Sequence, residues 1–122
     1  MSTVLLSLGL GALGGAGAVG RFWVHNRVVQ ADPRDFPLGT FIVNAVGSLV
    51  LGLLYGVGAA HDLRLLVGTG LLGAFTTFST WMFETERLVA DGALRSALTN
   101  IVVSLGLGLA AFSVGFAVGN MF

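Results

Sequence analysis

The chain has 122 residues, 55% of them apolar and 10% charged, with a formal net charge of zero. Soluble domains carry about 25% charged residues, and a small domain leaves too much surface exposed to hide this much apolar area from water; lipid is the solvent that suits it. The absence of Lys argues against a nucleic-acid partner, the absence of Cys excludes disulfides and thiol chemistry, and two His with six scattered acids form no metal-ligand cluster.

Charges divide the chain into four apolar stretches. Residues 1–20 carry none, and Arg21, Arg27, Asp32, Arg34 and Asp35 follow. Residues 36–60 are again free of charge, then Asp62 and Arg64 intervene. Residues 65–83 form the third stretch, closed by Glu84, Glu86, Arg87, Asp91 and Arg95, and residues 96–122 form the last. A spanning helix needs roughly 20 apolar residues, so each stretch predicts a transmembrane helix. Residues 1–122 read as one four-helix transmembrane domain. The first stretch lacks the basic start of a signal peptide, and three more spans follow, so it reads as a retained helix.

Local signals mark the ends of these helices. Pro33 and Pro37 bracket the first loop, and Pro37 suits an early helix position, where its missing N–H would have no partner anyway. Asp62 is placed to cap the third helix, and Asp91-Gly92 reads as the turn before the fourth. Trp23 and Tyr55 fall near span ends, where amphipathic rings favour the membrane interface. Glycines recur four apart at Gly11 and Gly15, Gly52 and Gly56, and Gly115 and Gly119. That spacing lets helix backbones approach closely in lipid and predicts tight packing rather than a chemistry.

Polar residues inside the spans carry the functional information. Thr40, Asn44 and Ser48 share one face of the second helix, and Asn100 and Ser104 repeat the pattern on the fourth, with Gly108 next. An amide in hydrocarbon needs partners or water. Spacing alone leaves two readings: hydrogen bonding between helices, or a polar conduit. The third span runs from Gly68-Thr69-Gly70 through Gly73 to Phe75-Thr76-Thr77-Phe78-Ser79-Thr80-Trp81. Gly and Thr weaken a helix there, which leaves either a softened but packed helix or a break at Gly73 to Thr77. A break at membrane depth frees carbonyls that can hold a cation, and broken helices are typical of ion sites. No carboxylate sits inside a span, as proton-coupled pumps usually require. Only Arg21 lies near a span interior, and it can snorkel to the interface. Neither a nucleophile–base pair nor a phosphate-binding loop is apparent, so the chain does not read as an enzyme.

These residues resemble the CrcB/Fluc fluoride channels over nearly the whole chain. The matching segments are Gly14-Gly15-Ala16-Gly17-Ala18-Val19-Gly20-Arg21, then Gly39-Thr40-Phe41-Ile42-Val43-Asn44 with Gly47-Ser48, then Gly73 through Thr80 followed by Glu84. The resemblance implies an all-α membrane protein: four transmembrane helices, the third broken, paired as an antiparallel, dual-topology homodimer with two fluoride pores. It implies that Gly73 and Thr76 supply carbonyls to a central structural sodium ion. It implies that Phe78 turns a ring edge to fluoride, that Asn44 meets the ion, and that Ser79, Thr80 and Ser104 lie on a hydroxyl track. It places Arg21 near an aqueous vestibule and matches Glu84 to the carboxylate after the broken segment. Trp81 stands at the second pore aromatic, usually Phe in the family, and its indole is larger and adds an N–H donor. Asn100 and Gly108 stand where some relatives carry Tyr and Ser.

The implied mechanism is passive. Fluoride holds its water tightly, so a pore must offer amide N–H groups, hydroxyls and positive ring edges in its place. Weak, multi-site binding lets the ion leave again. HF enters cells as a neutral acid and dissociates inside. A channel in the cell (inner) membrane would let the membrane potential drive the trapped anion out and confer fluoride resistance. A small four-helix multidrug transporter is the competing class, but it needs an acid in the first span, and residues 1–20 have none. A non-conducting membrane interaction protein would explain the glycines but not the Thr-Thr break or the Asn stripe. Arg27, Arg34, Arg87 and Arg95 follow the first and third spans, against Arg64 after the second. This bias alone would put both termini outside, and it leaves pairing with an oppositely oriented relative as the alternative to a homodimer.

Overall fold

The computed structural model describes residues 1–31 and 36–122. Pro33 and the charges at Asp32, Arg34 and Asp35 lie outside the described residues. Every described element is helical: α1 (Thr3–Ala31), α2 (Leu38–Gly56), α3 (His61–Leu63), a π-helical segment (Arg64–Leu72), α4 (Gly73–Phe75), α5 (Ser79–Ala90) and α6 (Leu94–Gly119). Among the described residues, four stretches are long and apolar enough to cross a membrane: α1, α2, the broken third span His61–Ala90, and α6.

The first span runs further than its charges suggest. α1 has 29 residues, about 43 Å at the usual helical rise, and carries Arg21, His25 and Arg27 within it. Nothing between Gly20 and Ala31 breaks a helix, so the chain continues beyond the apolar stretch. The Arg27 guanidinium lies over the Trp23 ring, 5.2 Å from its centre, and Arg64 lies 5.5 Å over Tyr55, as expected of side chains that extend along an apolar surface toward water.

Pro37 occupies the N-cap of α2. The turns after α2 and α5 are built alike. Gly58 (φ 65°) and Gly92 (φ 78°) take the left-handed conformation, and the following amides return to the helix, Ala59 N–H to Leu54 O at 3.3 Å and Ala93 N–H to Leu88 O at 2.8 Å. Asp62 does not cap the third span. Ala60 holds the cap position without a side-chain bond. Asp62 lies inside the first turn, its carboxylate 3.5 Å from the Met1 amine, where negative charge still complements the helix dipole.

Glycines set the closest approach between spans. A methyl at Gly52 would strike Phe112 O, and one at Gly119 would lie 2.6 Å from Leu53 O. Gly56 and Gly115 similarly face Phe116 O and Leu49 O, so α2 and α6 meet backbone to backbone. Gly17 on α1 sits against the Leu71 carbonyl of the π segment. The pair Gly11 and Gly15 makes no such approach within the chain, since among the described residues nothing lies within 4 Å of a methyl at either position. Few side chains are buried; Val43, Leu72, Leu88 and Ala97 form the apolar core. Most large apolar side chains point outward, as in a helix bundle whose surroundings are lipid.

The break falls later than Gly73. Gly73 is itself helical (φ −61°, ψ −36°). The helix stops at Thr76, whose backbone is extended (φ −82°, ψ 160°), and α5 restarts at Ser79. The Gly68-Thr69-Gly70 weakness is expressed upstream, as a nine-residue widening into π-helix. Such widening is rare and concentrates at functional sites.

Candidate functional site

The break is held open by one side chain. Thr77 N–H, which a continuous helix would give to Gly73 O, donates instead to Asn44 Oδ1 at 2.8 Å. Asn44 Nδ2 donates in turn to Thr77 O at 2.9 Å. The Asn44 amide therefore stands in for a stretch of backbone, satisfying both polar groups of the residue that departs from the helix. One Nδ2 hydrogen remains beyond that bond.

Thr77 also starts the next helix. Its Oγ1 accepts from Thr80 N–H at 3.2 Å, as an N-capping hydroxyl does, and donates to Thr80 Oγ1 at 3.2 Å, with Ser79 Oγ 3.4 Å away. Thr80 N–H is thereby diverted from Thr76 O. Gly73 O and Thr76 O thus both lose the amide that a continuous helix would supply. Thr76 Oγ1 donates back to Leu72 O at 2.9 Å.

Phe78, in the break, is 70% exposed. Its ring meets Trp81 edge to face, with centroids 5.7 Å apart and planes at 81°. The indole N–H is engaged, donating to Asn100 O at 3.3 Å. Asn100 is buried, and its Nδ2 donates to Thr85 Oγ1 at 2.8 Å. Thr85 Oγ1 donates to Trp81 O at 2.8 Å. Ser104 Oγ lies 3.3 Å from Asn100 Oδ1 and donates to it. Trp81, Thr85, Asn100 and Ser104 thus form one polar network stitching α5 to α6.

Two clefts flank the break. One, of 320 Å³, lies between α2 and the third span and is lined by Asn44, Ser48, Gly73, Thr76, Phe78 and Trp81 among others. The second, of 480 Å³, opens between α1, α2 and α5, with Arg21, His25, Thr40, Thr77 and Thr80 on its walls. Thr77 lines both clefts. Behind the second cleft, Glu84 Oε1 accepts from Thr40 Oγ1 at 2.7 Å and lies 3.7 Å from His25 Nε2.

Asn44, Gly73, Thr76, Phe78, Ser79, Thr80 and Trp81 therefore come together around the break, and Arg21 lines the second cleft with Thr77 and Thr80. Ser104 stands apart on α6, its hydroxyl proton committed to Asn100. Sequence reasoning left Thr77, Thr85 and His25 without roles. Thr85 carries a readable signal, one helical turn after Trp81. The Asn44 partner of the Thr77 backbone and the Glu84 partner of His25 lie on other helices, at sequence distances that no local pattern reports.

A multi-pass membrane protein with a broken span and polar groups gathered at the break belongs to the class that tolerates irregular backbone at depth because it lines a path or a site. The family model described as "CrcB-like protein, Camphor Resistance (CrcB)" matches residues 8–116, and the chain belongs to that family. It is 49% identical over 115 residues to a protein of Mycolicibacterium paratuberculosis named fluoride-specific ion channel FluC 2, covering 94% of each chain. It is 47% identical over 121 residues to FluC 1 of Rubrobacter xylanophilus, covering 98% of this chain and 96% of the relative. FluC 1 of Symbiobacterium thermophilum is 44% identical, with 98% of each chain covered.

Proposed function

We propose that this chain is a fluoride-specific channel of the cell (inner) membrane that lets cytoplasmic fluoride leave passively and so confers fluoride resistance. The observation that carries this reading is the Asn44–Thr77 pin. Asn44, Thr76, Thr77 and Phe78 line one cleft beside it, in a protein whose relatives bear the name of fluoride channels. Among the described residues, no carboxylate lines the cleft that holds Asn44 and Phe78. Donors without fixed charge suit a small, strongly hydrated anion that must also depart.

The working unit in this reading is an antiparallel homodimer, because one chain leaves each cleft open along a side. Phe78, 70% exposed in the single chain, would gain its surroundings from the second copy. The remaining N–H of Asn44, the Phe78 edge and the hydroxyls of Ser79 and Thr80 are the groups offered to fluoride. Ser104 would act through Asn100, and Arg21 would raise the anion's concentration at the mouth.

The residues also fit a structural sodium ion. Gly73 O and Thr76 O are released at the break, and two chains would supply four such oxygens. A hard cation takes uncharged carbonyl oxygens as ligands. Such an ion would contribute positive potential near the pores and tie the copies together.

The direct test is efflux of fluoride from liposomes holding the purified chain alone, followed with a fluoride electrode. Release of fluoride with chloride retained is expected. Equal release of both anions, or none from a folded dimer, would overturn the proposal.

A further inference from the structure

Phe78 stands largely clear of its own chain. It is mostly exposed, and the ring it meets is Trp81, edge to face at 5.7 Å. Whatever fixes Trp81 therefore fixes the direction of the Phe78 edge. The indole is held by a closed circuit of hydrogen bonds between α5 and α6. Trp81 and Thr85 lie one turn apart on α5, and Asn100 and Ser104 one turn apart on α6. Thr85 Oγ1 gives its proton to Trp81 O at 2.8 Å, so toward Asn100 it can only accept, which it does from Nδ2 at 2.8 Å. Ser104 Oγ donates to Oδ1 of the same amide at 3.3 Å and holds it in that sense. The Asn100 carbonyl has a second acceptor site beyond the helix ladder. It takes the indole N–H at 3.3 Å and closes the circuit. Asn100 and Thr85 are both buried, so a partner lost there leaves an unsatisfied group.

We infer that Thr85 is a positioning residue of the fluoride path: through Asn100 it fixes the Trp81 indole, and through that ring the Phe78 edge offered to the ion. This rests on the channel reading. Thr85 acts at one remove, since among the described residues it lines neither cleft. The positive potential of an aromatic ring lies along its edge and the negative on its faces. A ring free to swivel turns a face to the anion part of the time and repels it. Trp81 also makes a demand that a phenyl ring would not, because its N–H needs an acceptor in a lipid-embedded protein. The Asn100 carbonyl meets that demand, and the Thr85 hydroxyl keeps Asn100 in place to do so.

The test pairs single-channel fluoride current in planar bilayers with tryptophan fluorescence. Single-channel current is read per open pore, so lost assemblies do not enter it. Thr85→Val keeps the shape and removes the hydroxyl, and should lower the current about tenfold, the factor to which an unsatisfied buried partner corresponds. Thr85→Ala should act alike, and Thr85→Ser, which keeps the hydroxyl, should conduct as the wild type does. In a Trp81→Phe chain, which has no indole N–H to hold, Thr85→Val should change the current by less than about twofold. Trp23→Phe leaves Trp81 as the single tryptophan; in that chain the fluorescence anisotropy should fall with Thr85→Val and recover with Thr85→Ser. Wild-type current or unchanged anisotropy in both Thr85→Val and Thr85→Ala, or the same loss of current with and without the indole, makes Thr85 a packing residue. Either result overturns the inference and leaves the channel reading standing. Absence of fluoride current from a folded wild-type assembly overturns the channel reading itself.

Discussion

At the scale of single residues, Phe78 and Asn44 carry the account. An aromatic edge stabilises an anion, and an aliphatic side chain of similar bulk does not. Phe78→Ile should therefore abolish most of the fluoride flux while changing stability by less than about 1.5 kcal/mol. A packing role predicts a weakened assembly with near-normal flux per surviving channel, and thermal unfolding measured beside flux separates the two. Trp81→Phe is the companion. The indole N–H is already spent on Asn100 O and the ring meets Phe78 edge to face, so the substitution should leave fluoride selectivity intact. Asn44 has a different vulnerability, because it serves the backbone of Thr77 as well as, in the proposed path, the ion. Asn44→Ala strips both partners from Thr77, and each unsatisfied buried group costs about 1–3 kcal/mol. Hydrogen exchange at the Thr77 amide should accelerate by orders of magnitude while amides in α2 and α6 remain protected. Unchanged exchange at Thr77 would show that the break does not depend on Asn44.

At the scale of elements, the four spans were legible because charge is expensive in lipid, so its positions outline the membrane. The glycine pairs of α2 and α6 were legible for a related reason, since only small residues let two backbones touch. The π segment was not. Gly68, Thr69 and Gly70 announce a weak helix, but weakness does not say whether the chain will stop or widen. The choice is made at Thr76–Thr77, where Asn44 arrives from another helix with both halves of a backbone hydrogen-bond pair. The length of α1 escaped the reading too. Arg21 and His25 resemble loop residues by polarity and are helical by geometry, because nothing between Gly20 and Ala31 breaks the helix, and both line a cleft. The same gap hid the contact between His25 and Glu84, which only the packing of α1 against α2 and α5 brings together. Ser104 shows the converse. Its place on the hydroxyl track came from resemblance, whereas its proton is directed to Asn100 in this chain.

At the scale of the whole molecule, the account requires two chains in opposite orientations. The proposal has one sequence insert both ways, which suits an arginine bias that rests on few residues. Single cysteines introduced near Ala60 and near Gly92, in a chain that otherwise has none, should each label from both sides of intact cells. Labelling of each site from one side alone would replace the homodimer with a pair of oppositely oriented relatives. The central claim is that the break and its donors choose fluoride, and the reversal potential under opposed gradients of fluoride and chloride tests it most directly. With the chain alone in a planar bilayer, the account predicts reversal at the fluoride equilibrium potential, whatever the chloride gradient. Reversal that follows chloride, or a value midway between the two, would contradict it.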